Sequence, residues 1–564
     1  MNVILCAISR DLARGMRARK LLGLALCAIF LLSACGRGDA PRPQAGGQVP
    51  IPAKPEFGGR IIEATIGEPS NLIPPLASDS ASHEVADLLY VAPLKFDKDI
   101  NLVPQAAESF EILEDGRLLR FRLRKDIRWT DGQPLTARDV EFTYRLMIDP
   151  KTPTAYAEDF LAVKSFTLLD DYSFEVRYDK PFARALVTWA SAILPRHLLE
   201  GQDLLKTDFA RHPVGAGPYV LKEWTAGDRL VLAANPDYFE GRPYIDQVVM
   251  RIIPDQSTQF MELKSGNLDE IGLSPEQFLY QTKGGDWATR FRKFQYVASA
   301  YTYLGFNLKS RLFADARVRR AVNYAIDKDE IVRGVLMGLG IATGGPYKPG
   351  TWAFNDKIPA NEFDPARARK LLAEAGWTRP DPKGPLVDRD GRPFVFTILT
   401  NQGNSQRIKT GIIIQSRLKD LGIRVELRTV EWAAFIKEFV DKGRFDALIL
   451  AWTTTQDPDI YDVWHSSRAV PGGLNFVGYK NPELDELLER GRRILDPKLR
   501  KPVYDRIQEI LHADQPYCFL YVPMALPMVN AKVQGIEPAP AGISYNFIRW
   551  WIPKAGQGPE LTQQ

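Results

Sequence analysis

Leu123-Arg124-Lys125-Asp126-Ile127-Arg128-Trp129-Thr130-Asp131-Gly132-Gln133-Pro134-Leu135-Thr136-Ala137-Arg138-Asp139-Val140 packs a strand, a turn and a capped helix into one stretch. Its first residues complete Leu119-Arg120-Phe121-Arg122-Leu123-Arg124, a strict apolar–polar alternation that predicts a half-buried strand. Asp131-Gly132 is a turn dipeptide, and Thr136 is expected to cap a helix beginning at Ala137. Downstream, Phe174-Glu175-Val176-Arg177-Tyr178-Asp179 alternates in the same way, so antiparallel pairing is expected.

Further along, the helical period takes over. Asp364-Pro365 places a capping carboxylate before a proline at the first helical position, Leu371, Leu372 and Ala375 follow at helical spacing, and Gly376 supplies the stop. Asn481-Pro482 repeats the device ahead of Leu484, Leu487 and Leu488, and Asp315 precedes Val318, Ala321, Val322 and Ala325. A helix over residues 408–419 ends at Gly422 and feeds a strand over residues 423–427. Strands and helices interleaved in this way make an α/β fold, and ~500 folded residues call for more than one domain.

The N-terminus carries Arg14, Arg17, Arg19 and Lys20, then an uncharged run over residues 21–34. That run falls short of the ~18–20 residues a membrane-spanning helix needs, and reads as the apolar core of a signal peptide. It ends Leu32-Ser33-Ala34-Cys35, which resembles the lipobox of bacterial lipoproteins, so Cys35 is the expected site of lipidation. Met16 is an alternative start to Met1. The Gly/Pro-rich segment over residues 35–59 reads as a flexible tether, with folding expected from Arg60. Residues 1–34 hold five basic side chains against Asp11, a surplus equal to the whole chain's +4; the remainder is near neutral, and no basic face points to nucleic acid. Of four cysteines only Cys518 lies in the folded part, within an apolar run that predicts a buried, inert thiol.

The opening stretch also resembles, together with Val214-Gly215-Ala216-Gly217-Pro218-Tyr219, Asn235-Pro236-Asp237-Tyr238, Val318-Arg319-Arg320-Ala321-Val322-Asn323-Tyr324-Ala325-Ile326-Asp327, Leu372-Ala373-Glu374-Ala375-Gly376-Trp377 and Gly478-Tyr479-Lys480-Asn481-Pro482-Glu483-Leu484-Asp485, the ordered blocks of the family 5 extracellular solute-binding proteins, the oligopeptide, dipeptide and nickel type of ABC importers. The resemblance implies a two-lobed periplasmic-binding-protein-like fold of the large type II class, with an additional inserted domain and the ligand between the lobes. On that reading residues 60–300 and 530–564 form the first lobe, with an inserted subdomain over about 79–200, and residues 301–529 form the second. Crossings are expected near residues 301–307 and 525–532. The function implied is that of a lipid-anchored, extracytoplasmic receptor on the periplasmic side, a monomer that hands a peptide or similarly elongated small molecule to importer permease subunits. No cofactor is expected.

Site residues follow from the same resemblance. Glu68, Ser70 and Asn71 stand where a first-lobe strand ends and its backbone meets the ligand; Trp452 matches a pocket-lining tryptophan or is core, and Thr453 and Thr454 match main-chain contacts. Tyr303 lies in the connecting strand, and Asn401 opens a polar loop, Asn401 to Arg407, between strand and helix, where α/β ligand sites form. Asp457 either receives the ligand's amino group or caps a helix starting at Pro458. An oligosaccharide or a nickel–metallophore complex is the alternative ligand. The five histidines are scattered, and no hydrolase elbow, phosphate loop or dinucleotide motif points to an enzyme.

Overall fold

The computed structural model describes residues 54–454 and 457–557; Cys35, the signal segment and most of the tether lie outside them. Two seven-stranded sheets organise the chain. The first runs Phe291–Lys293, Pro527–Asn530, Glu270–Gly272, Arg60–Thr65, Gln247–Ile252, Arg229–Ala234 and Tyr219–Thr225. The second runs Tyr296–Val297, Tyr517–Ala525, Ala300–Phe306, Ala447–Thr453, Val395–Asn401 and Arg424–Val430, with Gly340–Ala342 on the flank of Tyr517–Ala525. A smaller four-stranded antiparallel sheet takes its strands from residues 107–178, and both alternating segments of the sequence lie in it, as Leu118–Leu123 and Ser173–Tyr178.

This is a two-lobed mixed α/β architecture, and the chain passes between the large sheets in two places. Tyr517–Ala525 lies in the second sheet and, after Leu526, Pro527–Asn530 lies in the first. The other passage falls at residues 294–295, between Phe291–Lys293 of the first sheet and Tyr296–Val297 of the second, earlier than the expected 301–307. Ala300–Phe306 is an inner strand of the second sheet, hydrogen-bonded on both sides and buried from Tyr301 onward, so it is already inside that lobe.

Local chemistry explains the helix ends. Asp364 accepts from Arg367 N–H at 2.9 Å ahead of Pro365, and Asn481 accepts from Leu484 N–H at 3.1 Å ahead of Pro482. The Asp139 carboxylate accepts from Thr136 N–H at 2.8 Å and closes the predicted helix start. The helix expected over 408–419 spans Ser405–Asp420, because Asn404 accepts from Arg407 N–H at 3.0 Å and starts it sooner. No helix begins at Pro458. Asp457 accepts from Asp459 N–H at 2.9 Å and the next helix is Tyr461–Trp464, so the capping reading of Asp457 is corrected.

The Gly215–Gly217 connection is a close approach. A Cβ at Gly215 would meet the Leu89 carbonyl oxygen at 1.8 Å, and one at Gly217 the Leu89 carbonyl carbon at 2.5 Å. Gly217 N–H donates to that oxygen at 2.9 Å, stitching helix Ser80–Leu89 to the first sheet. Separate apolar cores fill the two faces of the second sheet, the first sheet under Ser80–Leu89, and the four-stranded sheet. Cys518 is fully buried, and burial pushes its thiol up to about 11.

Candidate functional site

Strands Val395–Asn401 and Ala447–Thr453 run parallel, so their C-terminal ends emerge on one edge of the second sheet. That edge brings Asn401, Trp452 and Thr453 together, with Tyr301 opposite Trp452 on the antiparallel neighbour. Trp452 is half-buried, lies against Phe476 with ring centroids 5.9 Å apart, and donates its indole N–H to Tyr517 Oη at 3.3 Å. Tyr303 is fully buried and stacks on Tyr517 at 3.9 Å, so it supports the edge from beneath. Thr453 is exposed, and Thr454 N–H donates to Ser299 O at 2.8 Å.

Asn401 is buried, and its Oδ1 accepts from Arg407 Nη1 at 2.8 Å. Burial pulls the Arg407 guanidinium below the usual arginine range, with Tyr521 and Tyr303 opposing, and no acid among the described residues pairs with it. A half-buried guanidinium held by one amide oxygen is a ready receptor for a carboxylate. The start of the Arg407 helix and the turn before it also touch the first lobe. Gln256 Oε1 accepts from Ser405 N–H at 3.0 Å and from its hydroxyl at 2.8 Å, and a Cβ at Gly403 (φ +77°) would meet Pro254 O at 1.9 Å.

On the first lobe, Glu68, Ser70 and Asn71 are committed locally. Glu68 accepts from Trp224 Nε1 at 2.8 Å and from Arg211, whose guanidinium stacks 3.8 Å over the Trp224 ring. Ser70 donates to Asp79, Ser70 and Asn71 N–H donate to Ser82 Oγ, and Asn71 Oδ1 accepts from Ile73 N–H. Asp79 is the hub. It caps helix Ser80–Leu89 by accepting from Ser82 N–H at 3.0 Å, and it also accepts from the Trp432 indole at 3.3 Å across the lobes.

Asp457 belongs to a buried ionic network. It forms two hydrogen bonds with Arg500, at 2.8 and 3.1 Å, and lies 4.0 Å from Arg184. Arg184, from the four-stranded sheet's subdomain, pairs with Asp159 at 2.8 Å and reaches Asp459 of the second lobe at 3.2 Å. Arg492 bonds Asp459 at 2.6 Å and lies 3.2 Å from Asp159. Burial pushes the Asp459 carboxyl up, but Arg492 and Arg184 outweigh it and hold it below the usual range. Three arginines thus face three aspartates where subdomain and second lobe meet.

Beside this network lies a cavity of about 680 Å³, lined by His83 and Asp87 of helix Ser80–Leu89, Tyr156, Asp159 and Arg184 of the subdomain, and Asp462 of the second lobe. Loss of hydration raises the Asp462 carboxyl to about 7, against the pull of nearby arginines. Sequence reasoning missed this cavity, and it named Arg407 only as the end of the polar segment that begins at Asn401. Arg407 left one signal, a base at the end of the polar segment after Asn401, which the structure places in the first turn of helix Ser405–Asp420; the cavity left none, since its walls come from segments hundreds of residues apart.

Among the described residues no helix is long and apolar enough to cross a membrane, and no group of three His, Cys, Asp or Glu is placed to hold a metal ion. Residues 101–471 match the model of the bacterial extracellular solute-binding proteins, family 5. The oligopeptide-binding protein AppA of Bacillus subtilis is 34% identical over 557 residues, covering 96% of this chain and all of that one. The AppA structure in complex with a nonapeptide superposes with a TM-score of 0.84 at 33% identity, over 89% of this chain and 100% of that one. NikZ of Campylobacter jejuni in complex with Ni(L-His) follows at 0.79 and 26% identity, over 87% and 99%. With ordered motifs, two-sheet architecture and whole-length likeness in agreement, the chain belongs to the family 5 bacterial extracellular solute-binding proteins.

Proposed function

We propose that the protein is the extracytoplasmic receptor of an ABC importer and that it encloses a peptide between its two lobes. The observation that carries this is the likeness along almost the whole chain to AppA, solved around a nonapeptide. Arg407 supports it chemically, as a guanidinium at the Trp452 edge with no acid partner among the described residues. In this reading Trp452 stacks on the ligand, Thr453 and Thr454 meet its main chain, Asn401 orients Arg407, and Arg407 receives the terminal carboxylate. Ser70 and Asn71 hold the opposite wall through Asp79. Glu68, Tyr303 and Asp457 act as supports, given their engaged positions. The lobes divide near residues 294–295 and at Leu526, and the inserted subdomain begins near Val91, since helix Ser80–Leu89 packs on the first sheet. Cys35 carries the lipid that keeps the receptor beside its permease.

Calorimetry on ligand-stripped protein with one peptide and its C-terminal amide tests the site. The free acid should bind tighter to the wild type, and Arg407→Met should erase the difference. Equal binding of acid and amide by the wild type sinks the Arg407 role. Failure of peptides of every length, with a nickel–histidine complex binding instead, sinks the peptide reading.

A further inference from the structure

The charges around the 680 Å³ cavity are unequally spent. Lys95 pairs with Glu240, and Arg184 pairs with Asp159 and Asp459. Two carboxylate oxygens of the lining residues accept no hydrogen bond although solvent does not reach them: Oδ1 of Asp159, a residue only 7% exposed and ion-paired there with Arg492 at 3.2 Å, and Oδ1 of Asp462. The cation nearest Asp462 Oδ1, Arg468 Nε, is 3.8 Å away and likewise lacks a hydrogen-bond partner. Asp87 is exposed at the same cavity, and no hydrogen bond or ion pair reaches it among the described residues. Its helix neighbour His83 meets Tyr156 Oη at 3.3 Å, bridging to the subdomain. A buried acceptor with no donor is costly and calls for an explanation.

We propose that this cavity is the subsite for a basic side chain of the ligand, an ammonium or guanidinium received by Asp462 and Asp87. The proposal rests on the peptide reading and names the class of peptide. An ammonium brings three donors and a guanidinium five, so either can serve more than one acceptor. Ala86, Met147 and Phe160 line the same cavity and suit the methylene stem. The volume lies within the range of small-molecule sites and leaves room for water around one side chain. A neutral side chain of equal size would leave Asp462 without a donor, and an acidic one would bring a like charge.

The probes are five-residue alanine peptides with one lysine, norleucine or glutamate walked through every position, titrated calorimetrically into ligand-stripped wild type, Asp462→Asn and Asp87→Asn. At one position lysine should bind about tenfold tighter than norleucine, with glutamate weakest. Asp462→Asn should reduce the lysine-to-norleucine ratio to about threefold or less. Asp87→Asn, at an exposed position, should reduce it too and secures the reading if Asp462→Asn melts early. The ratio should survive N-terminal acetylation; its loss would mean that these acids hold the α-amino group, which overturns the proposal. Norleucine binding as well as lysine at every position overturns the subsite and leaves the peptide reading standing. Failure of every peptide to bind overturns both.

Discussion

Asp462 shows how single residues divide between stability and recognition. Its carboxyl, raised to about 7 by lost hydration, binds a proton in the folded state that it has released in the unfolded chain between roughly pH 4 and 7. The wild type therefore loses this contribution as pH rises through that window, and Asp462→Asn escapes the loss. Melting curves should show Asp462→Asn gaining on the wild type at pH 8 relative to pH 5; a gap that does not change with pH refutes the assignment. Arg407 works in the opposite sense, since it stays charged and its desolvation is offset when a carboxylate arrives. Amidation of the ligand should cost the wild type about 1.5–3 kcal/mol and Arg407→Met close to nothing, by calorimetry. Trp452→Ala should weaken all peptides by a similar factor, on the order of 1–3 kcal/mol, because ring stacking does not read side chains. A loss confined to a few sequences would instead place Trp452 in one side-chain pocket.

Secondary-structure elements meet the site through their ends. Helix Ser80–Leu89 is held at its start by Asp79 and at its end by the Leu89 carbonyl against Gly215 and Gly217. Gly215→Ala drives a methyl into backbone, which no rotamer relieves, so a loss of about 1–3 kcal/mol in denaturant unfolding is expected. Asp79→Ala removes a cap, typically 0.5–2 kcal/mol, and also strips the Trp432 indole of its acceptor across the lobes. It should therefore lower both stability and ligand affinity; unchanged affinity at reduced stability would confine Asp79 to capping.

For the whole molecule, the Arg184–Arg492–Arg500 network is a buried ionic tie between subdomain and second lobe. It is nearly charge-balanced and buried, so removing one member strands a charge at a cost of about 3–5 kcal/mol. Arg184→Met leaves Asp159 and Asp459 short of a partner and should open the ligand-free protein. X-ray scattering should show a larger radius of gyration than the wild type, which contracts again on saturation with peptide. An unchanged radius would mean that the network only stiffens the subdomain. Ligand that binds only the closed form should also raise the melting temperature, by about 2.7 kcal/mol of stabilisation at ~100 Kd.

Much of this was legible in one dimension. Caps such as Asp364-Pro365 and Asn481-Pro482, the alternation around Phe121 and Phe174, and the inert thiol of Cys518 depend on neighbours within a few residues, and local chemistry settles them. The ordered motifs identified the scaffold for the same reason: they encode turns, caps and close approaches. Trp452 and Asn401 could be placed near one another because the C-terminal ends of parallel strands emerge on one sheet edge. Asp457 was not legible, since its role depends on Arg500 and Arg184, 43 residues away for the first and in another part of the fold for the second. Nor were Asp87 and Asp462 as cavity walls. Whether a carboxylate is a surface charge, one half of an ion pair or an unpaired acceptor depends on which distant groups fold against it, and only the tertiary structure brings those groups within reach.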